Sequence, residues 1–479
     1  MENLNEMSLK RTLGVAPIVF SVLAWAAPLL VVAGQMPTMI AYSQNGIVIG
    51  YLVPMIAILF FSVGYVSITK YVDRPGAFYA YITAGLGRTA GLGGAFTAVF
   101  GYAILLISTW LAFGVLLRQM IATFGGPEIP WYICALIGVA ISAVLSIVSV
   151  NVSAKVLIVL MSCEALIIII FDIAVALDGG PTGFATEPFS IDQGIMCNNF
   201  GLAVLFGTLC FIGFESSTIY REEAKDPEKT VARATYISVI TIGIFYLISA
   251  FMMLTALGED GVMNLGLDKA STLFTELATS YVAKILADIV AVLIVTSTFA
   301  ALLAQHNAVS RYCFSFGKDG VLPKKFAQVH PKFGSPYMSA VFVTILEVIF
   351  IIAITAGTGF DPAGNTAYVL YMRINGLGAI TVIFLMCLVS VAIIAFFKVK
   401  GQEVHISRWK TFVAPLLGLI GLIFLLVLSV GEADMLIGAS KSVSMALTII
   451  IPIVFIVGFL YAKRLKVTKN DVYMKIGRQ

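Results

Sequence analysis

Twelve stretches of this sequence are apolar for long enough to cross a bilayer, and no other feature restricts the fold as tightly. About 30 Å of hydrocarbon takes roughly 20 helical residues. The runs lie at approximately 14–42, 47–69, 94–122, 130–149, 153–177, 198–222, 232–257, 280–305, 337–357, 366–397, 411–430 and 441–463, numbered here as spans 1 to 12. In lipid every backbone polar group needs a partner within the chain, and a helix supplies its own. Composition agrees: 59% of residues are hydrophobic and 12% are charged, about half the charge of a soluble domain. The polar gaps are too short for a separate soluble domain. The expected fold is therefore an all-α polytopic membrane protein.

The N-terminal segment MENLNEMSLKRTLG does not read as a cleaved signal, because the first apolar run is too long for a signal core and leads into a second span. The 6 cysteines are scattered without a CxxC or Cys/His cluster, so neither a disulfide framework nor a metal site is expected. A net charge of +4 is no nucleic-acid signal. Its distribution is more telling. With the N-terminus inside, 25 of the 30 basic residues fall on inner segments, among them Lys10, Arg11, Arg74, Lys324 and Arg478. Outer loops carry acids such as Glu128, Asp192 and Asp268. By the positive-inside rule both termini are cytoplasmic and the protein sits in the cell membrane.

A binding site is suggested where two spans break. Residues 205–226, LFGTLCFIGFESSTIYREEAKD, open as an apolar helix, meet Gly213 and place Glu215 two residues later. A carboxylate at mid-membrane costs about 2.5–3.5 kcal/mol on insertion scales, and glycine loosens the backbone beside it. Span 1 is interrupted too, at Ala33, Gly34, Gln35, Met36, Pro37 and Thr38, where Pro37 removes an N–H and its ring crowds the preceding turn. Span 6 runs opposite to span 1. Interrupted helices in corresponding halves point to an inverted-repeat transporter with a midplane site. There half-helix N-termini offer N–H groups to a carboxylate, and C-termini offer carbonyls to an ammonium.

Three motifs carry a family resemblance. Residues 212–234, IGFESSTIYREEAKDPEKTVARA, resemble the sixth span and following loop of the amino acid–polyamine–organocation (APC) superfamily. Residues 310–340, SRYCFSFGKDGVLPKKFAQVHPKFGSPYMSA, are similar to its loop after span 8, and residues 74–88, RPGAFYAYITAGLGR, to its span 2–3 loop. The resemblance implies a 5+5 inverted repeat with helices 1 and 6 broken and two extra C-terminal helices. The division is then 1–13 cytoplasmic tail, 14–397 transporter core (repeats 14–177 and 198–397), 398–463 helices 11 and 12, and 464–479 cytoplasmic tail. Substrate is implied between spans 1, 3, 6, 8 and 10. Many members carry a Gly-Ser/Ala-Gly run at the first break, where this chain has AGQMPT, residues 33–38.

Site residues follow from both readings. Substrate contacts are expected from Ala33 to Thr38, from Tyr102 on span 3, and from Phe211, Ile212, Gly213, Phe214 and Glu215 on span 6. Glu215 and, on span 5, Glu164 are the expected proton-coupling or gating groups. Thr296 and Ser297 on span 8 are weak Na⁺ candidates, since Ser/Thr hydroxyls in membrane helices mostly bond to the preceding turn. Asp172 reads as a vestibule or helix–helix contact. The 3 histidines, His306, His330 and His405, map to loops or span ends, and residues 306–327 to a short interfacial helix. There is no phosphate loop of the GxxxxGK[ST] form and no catalytic constellation. No catalytic residue, cofactor, metal or nucleic-acid partner is expected. The expected function is proton-coupled symport of an amino acid, with an amino acid/amine exchanger, a Na⁺ symporter and a transport-dead sensor as alternatives. The partners are a small-molecule substrate, amino acid or amine, and the lipid bilayer. The sequence leaves the oligomeric state open.

Overall fold

A computed structural model describes residues 13–72, 77–148, 150–197, 199–270, 272–400, 406–437 and 440–477. Lys10, Arg11, Arg74, His405 and Arg478 lie outside the described residues. All twelve apolar runs are helical. Span 1 comprises Val15–Ala26, a π-helical segment Leu30–Gln35 and Met36–Ser43. Span 2 is Ile47–Thr69, span 3 Arg88–Thr123, span 4 Trp131–Val148 and span 5 Val150–Asp178. Span 6 is Phe200–Leu209 followed by the 3₁₀ segment Phe214–Glu223. Spans 7 to 10 are Pro227–Met263, Lys284–Asp319, Tyr337–Gly357 and Asn365–Lys400. Spans 11 and 12 are Ala414–Gly431 and Lys441–Thr468.

The packing places broken helix 6 at the centre. Its apolar window is 89% buried, against 17% for span 12, so span 12 lies at the rim. Ile449, Ile453 and Ile456 of span 12 are exposed, as lipid-facing side chains are. Small residues allow the close inner crossings. A Cβ added to Gly207 of span 6 would lie 2.0 Å from the Gly50 carbonyl of span 2.

Span 8 differs from the expectation. Residues 306–319 continue its helix to Asp319 instead of forming a separate interfacial helix, and the only piece beyond it is the short 3₁₀ turn Lys324–Ala327. The stop comes at Gly320, in the left-handed conformation at φ 79°, where glycine carries no Cβ penalty.

Both ends of the described residues are tied to the bundle. Lys225 N–H donates to Leu13 O at 2.9 Å, joining the starts of span 1 and the loop after span 6. At the other end the helix Asn470–Lys475 leads to Ile476, which is buried. Gly477 N–H donates to the Tyr79 hydroxyl at 2.7 Å and to Asp319 Oδ2 at 3.2 Å. The Tyr79 hydroxyl in turn donates to Asp319 Oδ2 at 2.5 Å. The C-terminal segment is thus docked between the helix Ala77–Leu86 and the end of span 8.

Candidate functional site

Both broken helices open at the same place. The first helix of span 1 ends at Ala26, and Ala27 takes the left-handed conformation at φ 45°. Pro28 accounts for the end of the helix, because a proline crowds the residue before it out of the right-handed helical region. Ala27 N–H donates to Leu23 O at 3.1 Å, and the Tyr246 hydroxyl of span 7 donates to Ala26 O at 3.0 Å. The break therefore lies at residue 27, not at 33–38. Around Pro37 the chain stays helical, because the π-turns of Leu30–Gln35 widen the backbone just before it and Pro37 falls in the first turn of Met36–Ser43, where a missing N–H costs little.

In span 6 the helix ends at Leu209, and Gly213 at φ 109° turns the chain into the ten-residue 3₁₀ segment. The break falls at the glycine expected from the sequence. It meets the first break directly: a Cβ on Gly213 would lie 2.2 Å from Trp25 Cδ1.

A buried carboxylate backs each break. Glu215 is 1% exposed. Its Oε2 accepts from Gly213 N–H at 2.9 Å and its Oε1 from the Tyr102 hydroxyl of span 3 at 2.5 Å. Glu164 is fully buried. Its Oε2 accepts from Leu29 N–H at 3.4 Å and from the Ser297 hydroxyl of span 8 at 2.6 Å, while its Oε1 meets no donor among the described residues. Each carboxylate thus ties a broken helix to a neighbouring one: Glu215, on span 6, reaches span 3, and Glu164, on span 5, joins span 1 to span 8.

A cavity of about 40 Å³ lies beside the breaks. One water needs about 10–15 Å³ on this measure, so a larger solute enters only if the walls move. Trp25, Ala26, Ala27, Leu30, Val31 and Gln35 of span 1 form one wall, and Leu209 and Ile212 of span 6 another. Span 3 adds Leu105 and Thr109, span 8 Ala301 and Gln305, and span 10 Tyr371 and Asn375.

Of the candidates named from the sequence, Gln35 and Ile212 line this cavity. Ala33, Gly34, Met36, Pro37 and Thr38 are buried in the second half of span 1 and are not part of its lining. Tyr102, Gly213 and Glu215 form the hydrogen-bonded group behind it. Phe214 packs edge-on against Phe61 of span 2, with centroids 5.9 Å apart, and Phe211 lies in the main apolar core. Ser297 reaches Glu164, but the Thr296 hydroxyl bonds back to Leu293 O at 2.9 Å. Asp172 accepts from Ser249 of span 7 at 2.8 Å, a helix–helix contact.

Sequence reasoning missed two groups. His306 does not sit at a span end. It is buried within span 8, its Nδ1 2.9 Å from Glu347 Oε1 of span 9. Gln305, its neighbour, faces the cavity. Pro28 could have signalled the first break, but Gly34 and Pro37 drew attention away from it.

The sequence matches the family model described as amino acid permease over residues 18–472. It is 23% identical to the low-affinity putrescine importer PlaP of Escherichia coli (strain K12) over 367 residues, 73% of this chain and 76% of that protein. It is 27% identical to the serine/threonine exchanger SteT of Bacillus subtilis (strain 168), over 34% of this chain and 37% of that one. The lysine-specific permease LysP of Lactococcus lactis is 24% identical, over 52% of each chain. In fold alone the chain resembles a Na⁺-coupled sialic acid symporter solved in a substrate-bound outward-open state. The TM-score is 0.53 at 11% identity, covering 89% of this chain and 90% of that one. With an all-helical fold among the described residues, two facing breaks and a family match over nearly its whole length, the chain belongs to the amino acid permease family of the APC superfamily.

Proposed function

We propose that this permease is a secondary active transporter in the cell membrane, both termini cytoplasmic, importing a small amino acid together with a proton by alternating access. The observation that carries the reading is the pair of breaks at Ala27 and Gly213, in contact and each backed by a buried carboxylate. The C-terminal ends of the first halves of spans 1 and 6, at Ala26 and Leu209, present carbonyls to an ammonium. The second half of span 1 starts at Pro28 and turns the positive end of its dipole to a carboxylate, with Leu29 N–H and Val31 N–H already donated to Glu164 Oε2 and Ala27 O.

We assign the travelling proton to Glu164. Glu215 has a donor on each oxygen, so its role is to hold the second break in shape. Glu164 has a bare Oε1, and a proton there removes a buried charge that no opposite charge offsets. In the outward-facing state, substrate and proton load. Neutral Glu164 then lets span 1 and span 8 shift past each other, and the site opens inward. The names of the relatives cover an amine importer, an amino acid exchanger and an amino acid permease, which supports this substrate class.

The test uses purified protein in liposomes with an inward proton gradient, after a thermal-shift screen has chosen the amino acid. Uptake is expected to follow the gradient, to survive replacement of Na⁺ by choline, and to be lost in Glu164→Gln while counterflow exchange persists. Gradient-driven uptake at the wild-type rate in Glu164→Gln overturns the proton role. Loss of uptake in choline makes the Na⁺ reading correct, and exchange indifferent to the gradient makes the protein an exchanger.

A further inference from the structure

Several polar side chains that wall the cavity are engaged within the protein, whereas the Gln305 carboxamide makes no hydrogen bond to a described residue. Gln35 Nε2 donates to the Tyr371 hydroxyl at 2.9 Å. The Thr109 hydroxyl donates to Leu105 O at 2.8 Å. Asn375 Oδ1 accepts from Ser108 Oγ at 3.3 Å. Gln305 is 7% exposed, and no donor among the described residues reaches its Oε1. A buried acceptor without a donor is a standing cost, and it is met when a ligand supplies the donor.

The lining is also uncharged. None of the residues that wall the cavity carries a formal charge, and Glu164 and Glu215 turn their oxygens to Leu29, Ser297, Gly213 and Tyr102 instead. A zwitterionic backbone can be met by the ends of the broken helices. A further charge on the ligand side chain would be buried without a partner, which is strongly disfavoured. A neutral hydroxyl or carboxamide hydrogen-bonded to the Gln305 side-chain amide incurs no such penalty.

Resting on the reading of this cavity as the substrate site, we propose that the ligand is a small α-amino acid with an uncharged, hydrogen-bonding side chain, a hydroxyl or a carboxamide. Gln305 is the residue that selects it. A site built around a hydrogen bond discriminates strongly against analogues lacking the donor, so Gln305 sets preference more than it sets affinity for the common backbone.

The experiment measures binding of serine, threonine, asparagine, alanine, lysine and putrescine to the purified full chain, for wild type, Gln305→Leu and Gln305→Glu. Wild type is expected to bind the first three about tenfold or more tighter than lysine or putrescine. Gln305→Leu should weaken serine and asparagine by about tenfold and leave alanine within about twofold. Gln305→Glu, which adds a negative charge to the same place, should gain lysine or putrescine binding. If wild type prefers lysine or putrescine, the substrate class is wrong while the cavity reading stands. Equal losses for serine and alanine in Gln305→Leu, with no gain in Gln305→Glu, reduce Gln305 to a structural role and overturn the assignment. If wild type binds none of the six, the cavity reading itself fails.

Discussion

Trp25 occupies the space that any side chain at position 213 would need. Its Cδ1 and Cγ would lie 2.2 and 2.3 Å from a Cβ on Gly213, and Gly213 holds φ 109°. The two broken helices therefore touch through an aromatic ring laid on bare backbone, with Tyr102 edge-on to the other side of that ring at 5.6 Å.

Gly213→Ala should accordingly fold and fail to bind. The left-handed φ costs an alanine about 1–3 kcal/mol, and the ring must move from the cavity wall it forms. Ligand affinity measured by isothermal titration should fall by about tenfold or more, with a normal size-exclusion profile. Affinity at the wild-type level would place the binding site away from the breaks.

Ser297→Ala and Tyr102→Phe test whether the two carboxylates share one design. Each removes the hydroxyl that ties a buried carboxylate to its scaffold helix, a charge-assisted bond worth about 1.5–3 kcal/mol. Both should slow uptake by roughly tenfold, and the double variant should show near-additive loss because the pairs share no partner. A neutral result for either variant removes that carboxylate from the cycle.

His306 and Glu347 join spans 8 and 9 inside the bundle. Removing one member of a buried pair strands the other and costs about 3–5 kcal/mol when the pair is charged. Glu347→Leu should lower the thermal midpoint in detergent well below that of the wild type, and His306→Leu combined with Glu347→Leu should recover part of the loss. Equal midpoints for the wild type and both variants would show that the contact contributes nothing.

Gly207→Val should prevent close packing of spans 2 and 6, since the added atoms meet the Gly50 carbonyl and overpacking costs about 1–3 kcal/mol or more. The expected readout is a lower yield of monodisperse protein. Wild-type yield and melting would mean that the crossing is free to widen.

How much of this was legible depended on whether the signal was local. Apolar run length located the spans, because a bilayer imposes a minimum length on each of them; short helices such as Ala77–Leu86 and Asn470–Lys475 left no such signal. Gly213 was readable because the strain at φ 109° needs the residue found there. The first break was misplaced because two prolines compete in span 1. Pro37 falls in the first turn of a helix, where it is tolerated, while Pro28 displaces Ala27. Glu164 was seen as an ionisable group at depth, and its bond to Ser297, 133 residues away, was not. Gln305 and His306 carried no sign of their surroundings, since one turn of continuous helix decides which faces the cavity and which faces span 9.

The docked C-terminal segment has a practical side. Ile476 is enclosed and Gly477 is bonded to both Tyr79 and Asp319, so a reporter or affinity handle fused close behind them would load the junction of the helix Ala77–Leu86 with the end of span 8. Kinetics recorded on such fusions would mix the transporter's own rates with those of a pulled anchor, and the same cargo attached at the opposite terminus provides the comparison that separates them.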